Sequence, residues 1–201
     1  MAGDCVFDEG HYGSNDGFMT SVWGPLAWNF LHMISFNYPV KPTPQQKKDY
    51  ARFVLHLGKV LPCRYCRDNF PRNLRAAGFG NDAFASRDAF SRFVYRLHDG
   101  VNRMLKKPSG GGKGLRFEDV RERYEQFRSR CLTSTERRAD RRAKKESGCT
   151  EPLFANAKGR CVLRIVPQDS AAEDFKVHRQ CRVRRRRRRR GRARQGEASG
   201  S

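Results

Sequence analysis

Thr43-Pro-Gln-Gln-Lys-Lys-Asp-Tyr50-Ala-Arg-Phe-Val-Leu-His-Leu-Gly-Lys-Val60-Leu-Pro62-Cys63-Arg-Tyr-Cys66 is the stretch on which the fold turns. Thr43 reads as an N-cap with Pro44 at the first helical position, where its missing N–H leaves no partner unsatisfied. Tyr50, Phe53, Val54, Leu57, Val60 and Leu61 then recur at spacings of three and four, the pattern of one buried helical face. Pro62 breaks the pattern. The two cysteines open a further helix, which Phe70 and Leu74 continue until Gly78 closes it.

The same periodicity extends in both directions. Upstream, Val22, Trp23, Leu26, Phe30, Met33 and Ile34 predict a helix from Thr20, with Thr20 or Ser21 available as its cap. Downstream, Phe90, Phe93, Val94, Leu97, Val101 and Leu105 predict the longest helix, with Ser86 as its cap and Pro108 as its stop. A glycine-rich link at 109–114 leads to a last short helix over 117–127. No segment of this region reads as a strand. The expected architecture is all-α: a four-helix bundle with a short fifth helix over 19–131, a flexible lead-in at 1–18, and a basic, poorly ordered extension at 132–201.

Composition agrees with one modest core and an appendage. The chain has 201 residues, 37% hydrophobic and 31% charged, and a net charge of +21. Residues 131–201 hold 21 Lys/Arg against 8 Asp/Glu, so most of the excess lies in the extension, which contains the unbroken run Arg184–Arg190. Such a run predicts salt-sensitive, sequence-independent attraction to nucleic acid, or a solvated tail or nuclear-import signal. No apolar stretch is long enough to span a membrane. The acidic start, with no Lys or Arg before Lys41, fits neither a secretory signal nor an Arg-rich presequence, so the expectation is a protein that is not exported.

Seven cysteines in that setting suggest redox chemistry or metal binding rather than a disulfide framework. Cys63-Arg-Tyr-Cys66 is the one pair whose spacing carries chemistry. At a helix N-terminus, free backbone N–H groups and the positive end of the dipole favour thiolate, and Arg64 and Arg67 add positive charge. The alternative is half of a zinc site, but no second CxxC or finger-like Cys/His cluster supplies the remaining ligands, and no metal site is expected. A thioredoxin-like fold would need strands alternating with helices. A redox-active pair here therefore requires another electron acceptor.

Three motifs occur in order: Trp23-Gly-Pro-Leu-Ala-Trp28-Asn-Phe-Leu-His32, then Cys63-Arg-Tyr-Cys66, then His98-Asp-Gly-Val-Asn102-Arg-Met-Leu-Lys-Lys107-Pro108. Together they resemble the Erv/ALR family of FAD-linked sulfhydryl oxidases over about 19–131, most of all the single-domain enzymes of large DNA viruses. The resemblance implies an FAD site built from Trp23, Gly24, Trp28, His32, His98, Asn102 and Lys107. Tyr124 falls where the family often has a Trp against the adenine. Trp28 and His32, like His98 and Asn102, lie four apart and so share a helix face, a spacing compatible with a flat ligand.

The resemblance also implies a mechanism. A protein dithiol attacks Cys63, Cys66 faces the flavin, and electrons pass through FAD to O2 with release of H2O2. It implies a homodimer through the first two helices and, if the chain is viral, a place in host cytoplasm or virion, with the nucleus as the alternative through the arginine-rich tail. The chain departs from the family pattern at Asp99, commonly Asn, and in having no shuttle cysteine pair beside the solitary Cys5. Cys131 with Cys149, and Cys161 with Cys181, are candidate pairs that spacing leaves open. The competing function is a nucleic-acid-binding module whose cysteines are structural or bind zinc.

Overall fold

The computed structural model describes residues 9–107, 114–133, 135–136, 149, 151–154, 159, 161–167 and 176–179. The helices are α1 (Glu9–Gly13), α2 (Thr20–Asn37), α3 (Pro44–Val60), α4 (Arg64–Ala76), α5 (Arg87–Met104) and α6 (Phe117–Glu125), with a 3-10 turn at Asn81–Phe84 leading into α5.

Local chemistry sets most of their ends. Thr43 Oγ1 accepts from the Gln46 N–H while the Gln46 side-chain oxygen accepts from the Thr43 N–H, a reciprocal cap that starts α3. Ser86 Oγ accepts from the Ala89 N–H and starts α5. Past the end of α4, Gly78 adopts φ +81°, the left-handed geometry expected of a residue that closes a helix. The start of α2 differs from the sequence expectation. Neither Thr20 nor Ser21 is its cap: Met19 holds that position with no side-chain bond, and its carbonyl accepts from Val22 and Trp23.

The centre of the bundle is the packing of α2 on α5, with α4 against both α3 and α5. Leu31, Tyr38, Val54, Leu61, Phe70, Leu74, Phe84, Phe90, Phe93, Val94 and Leu97 form one continuous apolar core. Each such side chain contributes about 1.5–3 kcal/mol on full burial. Tyr38 is wholly enclosed, and its hydroxyl donates to the Phe84 carbonyl at 3.0 Å, so burial strands no polar atom there. A smaller cluster of Phe36, Phe117 and Val120, flanked by Tyr95 and Tyr124, seats α6 beside α2.

Contacts extend past both ends of the bundle. The lead-in assigned to 1–18 contains α1, and Asp16 and Phe18 hydrogen-bond to residues 64 and 62, because backbone partners at the Pro62–Arg64 turn are available to them. At the other end, β1 (Ser129–Arg130) pairs antiparallel with β2 (Glu151–Pro152), and Cys131 is disulfide-bonded to Cys149. Leu153 N–H also donates to the Arg128 carbonyl at 3.0 Å. Cys149 and residues 151–154 are therefore tied to the end of α6 and the strand that follows it. Residues 161–167 form no strand, and exposed Cys161 is a free cysteine. Cys5, Pro108, Cys181 and the arginine run lie outside the described residues.

Gly58 of α3 packs directly against Phe70 of α4: a Cβ there would stand 2.2 Å from Cδ1 of Phe70. Gly58→Ala is expected to lower unfolding stability by about 1–3 kcal/mol through overpacking, in spite of Ala's better helix propensity. Urea denaturation of the two proteins measures it, and an unchanged or raised midpoint would show that the ring yields without cost.

Candidate active site

Pro62 ends the run from α3, and Cys63 caps α4. The Cys63 backbone is extended, and its Sγ accepts from the Cys66 N–H at 3.2 Å. The two cysteines are joined as a disulfide with their Cα atoms 5.2 Å apart, and both are half-buried. Sulfur at this position faces the unsatisfied N–H groups of a helix start. The two neighbouring arginines differ in what they hold. Arg64 pairs with Asp16 at 2.9 Å, whereas Arg67 donates from Nη1 to the Leu61 carbonyl and from Nη2 to the Asn15 carbonyl, each at 2.7 Å.

A second constellation lies where α2, α5 and α6 meet. Trp28 stacks on His98 with ring centroids 4.1 Å apart and planes 7° from parallel. His32 Nε2 and His98 Nδ1 are 3.0 Å apart, and the His32 ring also lies 5.1 Å from that of Tyr124. Tyr124 donates its hydroxyl to Asn29 Oδ1 at 2.7 Å. In the His32–His98 hydrogen bond one ring donates and the other accepts. With either tautomer His32 Nδ1 is left as a buried polar atom with no protein partner. Such an atom calls for a ligand or a water.

Burial controls the charge of this group. It pushes His32 down to about 3, assisted by His98 and Arg123. Burial likewise pushes His98 down to about 4, against the opposing pull of Asp99 and with Lys107 adding to the fall. Tyr124 is pushed up by the same desolvation. At neutral pH all three are uncharged, so the cluster consists of aromatic faces and neutral imidazoles. Asp99, the departure from the family pattern, forms an ion pair with Arg103 one turn along α5.

Of the residues singled out from sequence, Trp28, His32, His98 and Tyr124 come together in this cluster. Trp23 is half-buried and donates from Nε1 to the Phe18 carbonyl at 3.2 Å, and Gly24 has open space where a Cβ would be. Asn102 is half-buried on α5, and exposed Lys107 ties its N–H to the Asn102 carbonyl at 2.8 Å. Cys66, Trp23 and Trp28 pack against the same apolar core. Asn29 was missed, although its place three residues before His32 and one after Trp28 is a signal that could have marked it. Among the described residues no cluster of three or more His, Cys, Asp or Glu could hold a metal.

An Erv1/Alr family profile matches residues 25–125, which is half of the chain, and the chain belongs to that family. It is 42% identical over 85 residues to the FAD-linked sulfhydryl oxidase ERV1 of Arabidopsis thaliana, a match covering 42% of each protein. It is 31% identical over 80 residues to a probable FAD-linked sulfhydryl oxidase of Acanthamoeba polyphaga mimivirus, covering 40% of this chain and 56% of that one. The matched stretch thus spans about half the length of these relatives. The FAD-binding domain of Erv1 from Saccharomyces cerevisiae is similar at 27% identity, with 50% of this chain and 89% of that one covered and a TM-score of 0.44.

The buried imidazoles give a pH dependence with a defined sign. Both folded-state values lie below the ordinary 6.5, so the unfolded chain binds more protons as the medium acidifies. Their contribution to stability is complete above 6.5 and is lost as pH falls toward about 4 for His98 and about 3 for His32. Urea midpoints are expected to fall across that window, and His98→Gln is expected to flatten the decline. An equal slope in the variant would remove His98 from the account.

Proposed function

We propose that the chain is an FAD-dependent thiol oxidase that makes disulfide bonds in protein dithiols through Cys63 and Cys66. The observation that carries this reading is the Cys63–Cys66 disulfide at the N-cap of α4, in a helical domain that also gathers Trp28, His32, His98 and Tyr124. Flavin names in the matched relatives support the cofactor, since each is named as an FAD-linked sulfhydryl oxidase.

The residues present fit FAD. Buried His32 Nδ1 lacks a partner, and stacked rings of Trp28 and His98 offer faces of the kind a flat heterocycle prefers. Trp23, Gly24, Trp28, His32, His98, Asn102, Lys107 and Tyr124 would hold the nucleotide, with Lys107 supplying positive charge for its phosphates. When bound, FAD supplies a two-electron acceptor that can pass its electrons to O2 to give H2O2.

The chain's own sulfurs perform the thiol chemistry. A substrate thiolate attacks Cys63 Sγ, the Cys63–Cys66 bond breaks, and Cys66 departs as thiolate. The substrate's second thiol then attacks the substrate sulfur of the mixed disulfide and releases Cys63. The substrate loses two electrons and two protons, the protons leave to solvent, and the protein pair is reduced. The N–H of Cys66 and the start of α4 stabilise the thiolate that forms at the helix end.

Two partner readings accompany this. Met19, Leu26, Phe30 and Met33 leave an exposed apolar stripe at helical spacing along α2, with Phe30 59% exposed, and a second copy of the chain would cover it. The Arg184–Arg190 run adds nonspecific attraction to polyanions such as nucleic acid.

Cys66→Ser is expected to retain bound flavin and lose oxygen consumption with dithiothreitol by about 100-fold or more, because it removes a reacting atom; oxidase activity near that of the unaltered protein would refute the assignment. Phe30→Glu is expected to shift the protein from dimer to monomer in light scattering, and an unaltered mass would exclude α2 as the interface.

A further inference from the structure

Residues 15–18 lie against the cysteine turn as an antiparallel bridge, with Gly17 opposite Cys63. The Phe18 N–H donates to the Pro62 carbonyl at 2.9 Å, and the Arg64 N–H donates to the Asp16 carbonyl at 2.7 Å. The Arg67 guanidinium spans both segments, holding the Leu61 carbonyl with one nitrogen and the Asn15 carbonyl with the other. At its far end the segment is tied down by the Trp23 indole on the Phe18 carbonyl. Gly17 has φ +114°, and a Cβ there would stand 2.4 Å from the Pro62 oxygen and 2.8 Å from Cys63 Cα. Only glycine fits without moving backbone.

We propose that Asn15–Phe18 is an intramolecular latch that occupies one backbone edge of Cys63 and so selects which thiols reach its sulfur, with Gly17 and Arg67 as the positioning residues that hold it closed. An extended polypeptide substrate docks most readily by pairing its backbone with an exposed edge. At Cys63 that edge is taken: the Pro62 carbonyl and the Arg64 N–H are already bonded within the chain. Small thiols and cysteines carried on narrow projecting loops approach from the other side, whereas a bulky or extended carrier meets the latch. The biological use of this selection rests on the thiol-oxidase reading, while the latch itself is a property of the fold.

The test uses the full chain with its disulfides reduced. Alkylation is followed at the Cys63 peptide by mass spectrometry, with iodoacetamide and with an iodoacetyl polyethylene glycol that shares its chemistry and differs in bulk. Gly17→Ala and Arg67→Ala are expected to lower hydrogen-exchange protection of the Phe18 and Arg64 amides by about tenfold or more, as lost backbone hydrogen bonds require. Both are expected to raise the ratio of bulky to small alkylation rates at Cys63 by at least about threefold, and in Gly17→Ala, which leaves every charge beside the thiol in place, the small reagent is expected to change by less than about twofold. Arg67→Lys, which keeps the charge and one donor, should fall between.

Equal acceleration of both reagents would mean that the whole turn had loosened, and would overturn the proposal. So would an unchanged ratio despite lost protection, or unprotected Phe18 and Arg64 amides in the unaltered protein. Failure of the thiol-oxidase reading would appear separately, as absence of oxygen consumption in a chain whose latch still responds as described.

Discussion

The packing of α2 on α5 is the contact from which the rest of the molecule is arranged. Among the described elements these two helices meet along more residues than any other pair, and their packing brings Trp28 flat onto His98 and sets His32 within 3.0 Å of the same ring. The arrangement has an electrostatic consequence. Two imidazoles desolvated side by side resist protonation, and the pair stays neutral at physiological pH. A buried nitrogen without a partner remains at its centre. Cores ordinarily satisfy such atoms, so its presence among neatly stacked rings is better explained by a ligand site than by packing alone.

The cysteine turn depends on that framework indirectly. α4 is held between α3 and α5, and the clearance between α3 and α4 is set by Gly58 beneath the ring of Phe70. This places the α4 N-terminus, and with it Cys63, at the edge of the bundle, while Cys66 packs inward against the core shared with Trp23 and Trp28. One sulfur lies at the helix tip and the other a turn behind it. That division matches the two tasks of a disulfide relay, exchange with an external thiol and delivery of electrons inward.

Much of this was legible in the chain itself. The 3.6-residue periodicity located the four main helices and the short last one. Thr43 and Ser86 were readable as caps because their side chains satisfy N–H groups only a few residues away. The His and Trp positions could be grouped by their four-residue spacing. What escaped had no local signature. Gly17 looks like any loop glycine until Pro62 and Cys63 are folded against it, and Arg67 reads only as positive charge beside the cysteines until two carbonyls converge on it. The β1–β2 ribbon links residues more than 20 apart through two-residue strands, too short for alternation to show.

The central claim is that electrons move from dithiols through Cys63 and Cys66 into bound FAD. The measurement that tests it most directly is the visible spectrum of the purified full chain during anaerobic titration with dithiothreitol, followed by readmission of air. The account predicts an oxidised flavin spectrum that bleaches as dithiol is added and returns on aeration. A colourless protein that takes up no FAD, or a bound flavin that dithiothreitol leaves oxidised, would contradict it.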